Sequence, residues 1–198
     1  MNPKLAILQK ITVLTNKYEI RDASSSGESG QLVAFAEQAK MKIREKISFY
    51  TDSSKSSLNF TMRAEKVLDI HGRYLIEDAS GVLLGSIKKD FQKSILVSSW
   101  LVLDANDRVI FRFEEDNALI AILRRLSDFI PVVGDLIKFF PYHFGVLDSS
   151  TGGVVGRYKK VSVVRDSYVL HMDDQAWASI DSRVLMGMAI ALDALQSR

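Results

Sequence analysis

The chain has 198 residues, of which 47% are hydrophobic and 25% charged, a composition that suits one globular domain and excludes general disorder. It contains no cysteine, which excludes disulfides, thiolate metal sites and a cysteine nucleophile. Its 26 basic and 24 acidic residues leave a net charge of +2, too balanced to grip nucleic acid by bulk charge, so any anion must be met by a local patch.

In chain order, the first apolar stretch, Leu5–Leu8, is interrupted by Gln9 and Lys10. A secretory signal needs an apolar run of about 7–15 residues, so no export segment is read there. The longest charge-free apolar run, Val184–Leu192, falls well short of the roughly 20 residues of a spanning helix. The expectation is a soluble, cytoplasmic protein.

Four stretches share one pattern: an aromatic, strand residues, an Asp, small turn residues and a second apolar strand. They lead from Tyr18 to Asp22, from Tyr74 to Asp78 and Gly81, from Trp100 to Asp104 and Asp107, and from Phe144 to Asp148 and Gly152. An Asp at the first turn position accepts hydrogen bonds from backbone N–H groups just ahead of it, and Gly supplies the positive φ that closes a hairpin. Between these turns the hydrophobic period is two. Met41, Ile43, Ile47 and Phe49 alternate with Lys42, Arg44, Lys46 and Ser48; Leu58, Phe60 and Met62, then Val109, Phe111 and Phe113, then Tyr168, Leu170 and Met172 repeat the alternation. That period predicts eleven or twelve half-buried strands between about residue 7 and residue 172. So many antiparallel strands must close into a barrel or stack as a sandwich.

Two segments break the period. Leu119, Ile122, Leu123, Leu126 and Ile130 recur at helical steps until Pro131 stops them, and Asp135–Phe140 reads as a second short helix; together they form a helical insertion over about 117–140. The second is the C-terminus, where Asp174 is a candidate cap for a helix over about 175–196. From Val184 to Leu192 every residue is apolar or Gly, so the helix is apolar all round and belongs inside something. A rod of about 22 residues, roughly 33 Å long, fits a barrel of eleven or more strands.

Taken together, the Asp-turn hairpins of the form Tyr-x-Ile-x-Asp-Ala-Ser-Gly, the basic strand at Met41–Lys46 and the terminal apolar helix resemble the tubby C-terminal-like superfamily. Within it the chain is similar to the LURP-one-related and phospholipid-scramblase-like single-domain proteins. The resemblance covers nearly the whole chain and implies a mainly β fold: a closed antiparallel barrel of about twelve strands around a central hydrophobic C-terminal helix. It also implies association with lipid or phosphoinositide headgroups. The scramblase membrane anchor and calcium stretch do not carry over, because Asp104-Ala-Asn106-Asp107-Arg108 puts a cation where a calcium loop wants an oxygen ligand.

Enzymatic chemistry finds no support. His71, His143 and His171 stand alone, without a second ligand at metal spacing. Gly152–Gly156 is followed by a strand where a phosphate loop needs a helix N-terminus. Glu114, Glu115 and Asp116 read as partners of a helix dipole. No catalytic residue, cofactor or metal is expected.

Cations are the more informative groups. Lys42, Arg44 and Lys46 share a strand face; Lys88, Lys89 and Lys93 follow one hairpin; Arg157, Lys159 and Lys160 follow another. Brought together, they would hold an anionic lipid headgroup; the plainer reading is a solvated barrel exterior. In the insertion, Phe129, Ile130, Phe139 and Phe140 suggest a shallow membrane contact, against the plainer reading of a lid over one barrel end. The sequence thus points to one domain over 1–198: a non-enzymatic binding or scaffold protein, peripheral at an anionic phospholipid surface. The alternative is a protein–protein interaction module with no lipid ligand.

Overall fold

The computed structural model describes residues 1–11, 15–23, 30–39, 46–65, 72–91, 98–116, 143–162 and 167–196. Twelve strands follow one another in the chain: β1 (Asn2–Ile11), β2 (Thr15–Asp22), β3 (Leu32–Ala39), β4 (Lys46–Tyr50), β5 (Leu58–Ala64), β6 (Arg73–Asp78), β7 (Leu83–Lys89), β8 (Ser99–Asp104), β9 (Val109–Glu115), β10 (His143–Asp148), β11 (Val154–Ser162) and β12 (Ser167–Met172). Two helices end the chain, α1 (Asp174–Ala178) and α2 (Ser182–Gln196).

Each strand pairs antiparallel with its chain neighbours, and β1 pairs antiparallel with β12, so the sheet closes. Closure leaves no unpaired edge to aggregate. The barrel expected from the period-two pattern is therefore present, and its first strand starts at Asn2, earlier than the pattern showed.

All four Asp-turn repeats are hairpins: β2–β3, β6–β7, β8–β9 and β10–β11. In the last three the Asp does what its side chain suggests. Asp78 Oδ1 accepts from the Ser80 and Val82 N–H groups (2.8 and 2.9 Å), and Asp104 Oδ1 from those of Asn106 and Arg108 (2.8 and 2.9 Å). Asp148 Oδ1 accepts from Ser150 and Thr151, both at 2.9 Å. Asp104 is thus the organising acceptor of a turn, with Asp107 at φ 65°. A register shift also recurs one step before each repeat Asp, at Ile20/Arg21, Ile76/Glu77, Val102/Leu103 and Val146/Leu147. Such bulges add twist where the sheet must curve.

The alternation predicted from the sequence is clean in β9, whereas Thr61 in β5 and Ser167 and Val169 in β12 are buried along with their inward neighbours. Phe60, Met62, Phe111, Phe113, Leu170 and Met172 are buried in one core cluster, while Val109 at the start of β9 is exposed. The aromatics of the repeats share this inner face: Tyr18, Trp100 and Phe144 are buried in the cluster and Tyr74 packs against it.

The C-terminal helix differs from the single rod expected. It is broken at Ser179–Asp181, and α2 alone has 15 residues, about 22 Å of helix. Asp173, not Asp174, occupies the cap position of α1, and Asp174 pairs with Lys4 of β1. Asp181 caps α2 through its Oδ1, which accepts from the Arg183 N–H at 2.9 Å. From Val184 to Asp193 every residue of α2 is buried. Val184, Leu185, Met186, Met188, Ala189, Ile190, Ala191 and Leu192 join the cluster formed by the strands' inner faces.

Two glycines make that packing possible. A Cβ on Gly85 of β7 would lie 2.4 Å from the Leu103 carbonyl oxygen and 3.0 Å from Val184 Cγ2. One on Gly187 of α2 would lie 2.7 Å from Ile76 Cδ1. The helical insertion expected at 117–140 lies outside the described residues.

Gly85→Ala should destabilise the protein by about 1–3 kcal/mol, because a backbone carbonyl cannot step aside. Gly153→Ala, whose Cβ meets only the Thr151 hydroxyl at 3.4 Å, should stay within about 0.5 kcal/mol. Denaturant midpoints of the two variants test this.

Candidate functional site

Strand direction gives the barrel two different ends. Odd-numbered strands run toward one end and even-numbered strands away from it. The hairpins at Asp22, Asp52, Asp78, Asp104 and Asp148 sit at the end where even strands finish, which we call the hairpin end. Lys46 opens β4, Lys88 and Lys89 close β7, and Lys159 and Lys160 lie near the close of β11, so all five belong to the opposite end.

The structure separates these cations into two kinds. Lys46, Lys88 and Lys159 alternate with the buried Ile47, Ile87 and Tyr158, and all three are exposed on the outer face. None of them makes an ion pair among the described residues. Lys89 and Lys160 have the inward parity instead. Lys89 Nζ stands 5.7 Å from the centre of the Trp100 ring, and Lys160 Nζ 5.8 Å from that of Tyr168. These two therefore belong to the barrel mouth, over aromatic faces, rather than to the outer strand faces expected for them. Arg157 is exposed, and Asp116 Oδ2 accepts from its guanidinium at 3.1 Å. Lys42, Arg44, Lys93, Phe129, Ile130, Phe139 and Phe140 lie outside the described residues.

The three groups do not form a single pocket. Three strand spacings separate β4 from β7, about 14 Å along the sheet, and four separate β7 from β11, about 19 Å. They mark a rim.

Other outer-face cations are already engaged. Arg63 holds Glu77 with two hydrogen bonds (2.9 and 2.6 Å), and Arg73 pairs with Asp107 and donates to the Ser86 hydroxyl at 3.1 Å. Arg112 lies 3.8 Å from Asp90 and 3.6 Å from Glu114, and Lys10 2.8 Å from Glu19.

Sequence reasoning missed the polar cluster inside this end of the barrel. Asp193 of α2 is 9% exposed, and its carboxylate accepts from the Tyr18 hydroxyl at 2.9 Å and the Tyr168 hydroxyl at 2.7 Å. Gln9 Nε2 donates to the Tyr18 oxygen at 3.2 Å. Tyr158 donates to the Ala189 carbonyl at 3.1 Å, and its ring stacks on Tyr168 with centroids 5.2 Å apart. Burial, then the Asp193 charge, pushes the Tyr18 phenol well above its ordinary value. Burial does the same to Tyr158, again with Asp193 adding to it. Three tyrosines from β2, β11 and β12 thus clamp the last turns of α2, a structural lock that holds its charge with neutral donors.

The two described histidines flank Lys159. His143 of β10 lies directly opposite Lys159, and His171 of β12 opposite Arg157. Each has a buried Nδ1 without a hydrogen-bond partner. Among the described residues no group of three or more His, Asp or Glu is arranged to hold a metal ion. Among them, too, no helix is long and apolar enough to cross a membrane.

Comparison with known proteins gives one match: the LURP-one-related family model covers residues 32–193, from β3 into the last turns of α2. The matched span omits β1 and Tyr18 of β2, which nonetheless close the barrel and reach Asp193. No curated protein and no solved structure matches the chain.

Because both phenols are held neutral, their stabilising effect is complete below the ordinary tyrosine value near pH 10 and is lost as pH rises above it. Stability should fall beyond about pH 10 by up to ~1.4 kcal/mol per pH unit for each tyrosine. Tyr18→Phe should cost about 1.5–3 kcal/mol at neutral pH, as a hydroxyl leaves a buried carboxylate, and should flatten the alkaline decline. Urea melts between pH 7 and pH 11 measure both.

Proposed function

We propose that this chain, which belongs to the LURP-one-related family, is a non-enzymatic binding module that docks on anionic phospholipid through the end of the barrel opposite the repeated hairpins. The observation that carries this reading is the contrast between paired and free cations. Arg63, Arg73, Arg112 and Arg157 each pair with a carboxylate, whereas the exposed Lys46, Lys88 and Lys159 form no ion pair among the described residues. Free ammonium groups spaced about 14–19 Å apart suit a surface tiled with negative charge better than one small ligand. Near such a surface each contributes about 1 kcal/mol.

In this reading α2 is the central hydrophobic helix of the barrel. Its ten consecutive buried residues cover the whole helix circumference, and its partners come from β2, β6, β7, β11 and β12. The plug makes the barrel a rigid platform for the rim. No group in this reading performs bond chemistry, and the protein works in the cytoplasm, peripheral to the membrane.

Sedimentation with vesicles containing phosphatidylglycerol tests the proposal. The protein should bind at low salt and release at high salt, because exposed charges are screened. The triple substitution of Lys46, Lys88 and Lys159 to Gln should weaken binding about a hundredfold. No binding at low salt would end the lipid reading and leave the protein-interaction module in its place.

A further inference from the structure

The outer face of β10, β11 and β12 carries a second arrangement, which shares Lys159 with the rim and adds two histidines that the rim argument does not use. Adjacent strands put His143 opposite Lys159, and His171 opposite Arg157 one diagonal step away. Directly opposed side chains start about 5 Å apart and diagonal ones about 7–8 Å, so one ammonium and two imidazoles can converge on one small group.

We propose that this face holds a phosphate-monoester group between His143, Lys159 and His171, and that the two imidazoles take up protons as it binds. The inference rests on the reading of the barrel as an anionic-headgroup binder and gives one face of it a ligand class.

Three observations carry it. First, both Nδ1 atoms are buried without a partner, on either side of an ammonium that has no ion pair among the described residues. A buried polar atom without a partner calls for a water or an ion, and while five other side-chain atoms among the described residues share this state, these two lie on either side of one ammonium. Second, the neighbouring charges are already spent. Gly145, opposite Arg157, has no Cβ, and Asp116 Oδ1 sits 2.9 Å from where one would be; from there Asp116 engages Arg157 at 3.1 Å. The N-terminal ammonium is 3.0 Å from Asp173, and Lys4 pairs with Asp174. Arg112 lies near Glu114, which stands opposite Gly145. Among the described residues, Lys159 is therefore the uncompensated charge of this face. Third, both imidazoles are held below the usual histidine range. Burial acts first and the Lys159 ammonium second; Asp116 opposes the shift at His143, and the N-terminal ammonium adds to it at His171.

A phosphate monoester fits this set because it is a dianion above its second ionisation near pH 6 and offers three terminal oxygens. One ammonium and two imidazolium N–H groups supply matching charge and donors. A shared metal ion does not fit. The two histidines are separated by the whole of β11, and the Lys159 ammonium lies between them to repel a cation.

Two probes separate the sources of such a group: glycerol 3-phosphate in solution, and phosphatidic acid in vesicles, with phosphatidylglycerol vesicles as the diester control. Histidine C2–H resonances of the full chain, assigned with His143→Gln and His171→Gln, should titrate at higher pH when glycerol 3-phosphate is present. Binding to phosphatidic acid vesicles should strengthen about tenfold or more between pH 7.5 and pH 5.5. Simple attraction predicts the reverse trend, since the lipid itself loses charge over that range. The double His→Gln variant should lose the gain, and Lys159→Gln should lose the phosphatidic acid preference at both pH values.

Unchanged histidine midpoints in glycerol 3-phosphate would overturn the inference. So would equal, pH-independent binding to the two lipids, although that result would leave the anionic-lipid reading standing. Raised midpoints without vesicle binding would support the site and remove the membrane as its source of phosphate.

Discussion

The pairing of β1 with β12 is the constraint on which the rest of the molecule depends. Once those strands join, the sheet has no edge, and every inward side chain faces a volume that must be filled to the density of a protein interior. Large buried rings line that volume, including Phe49 stacked on Phe60 with centroids 4.0 Å apart, and α2 supplies a run of buried apolar residues against them. Bulk alone does not make the fit. Gly85 and Gly187 are small where strand and helix pack: a methyl group on Gly85 would strike the Leu103 carbonyl, and one on Gly187 would push the end of the Ile76 side chain aside. The closing strand lies outside the span shared with the family model, so this chain's own N-terminal residues complete the barrel.

The outer face holds paired and unpaired cations of both kinds: Lys10 and Lys55 pair with glutamates, and the exposed Arg108 makes no ion pair among the described residues. The Arg63–Glu77 contact is a two-point fork that a lysine cannot reproduce. Lysine appears free at Lys46, Lys88 and Lys159, where a flexible stem and a compact charge suit a partner that arrives from outside. Lys89 and Lys160 occupy the inward register and cover aromatic rings, which places positive charge at the barrel mouth.

Much of this was legible in the sequence because it is local. The Asp turns, the period of two and the all-apolar helix each depend on residues a few positions apart, and they were enough to imply a closed barrel and a C-terminal helix. The fifth hairpin, β4–β5, escaped the pattern. Asp52 organises it by accepting from the Ser54 N–H at 2.8 Å, but the positive φ falls on Lys55 rather than on a glycine. The break in the terminal helix escaped for a related reason, since Asp181 looks like an ordinary polar residue until its bond to the Arg183 N–H makes it a cap. The Asp193 lock was out of reach altogether. Tyr18 and Asp193 are 175 positions apart and meet only because the sheet closes. The same is true of His143, Lys159 and His171, which looked isolated in the chain and become neighbours through strand register.

The two ends of the barrel are built to opposite specifications. At the hairpin end, Asp78, Asp104 and Asp148 satisfy the backbone N–H groups of their turns with their own carboxylates, and a bulge precedes each at the same offset. Turns so short and so fully bonded leave few groups to offer a partner. At the opposite end two tyrosine hydroxyls are drawn inward onto Asp193, Arg112 and Arg157 pair with acids at the close of β7 and β9, and Lys46, Lys88 and Lys159 form no ion pair among the described residues. The Asp193 carboxylate there is buried and accepts from two tyrosine hydroxyls. The end where Lys46, Lys88 and Lys159 stand thus also holds two buried carboxylates, Asp193 and Glu115.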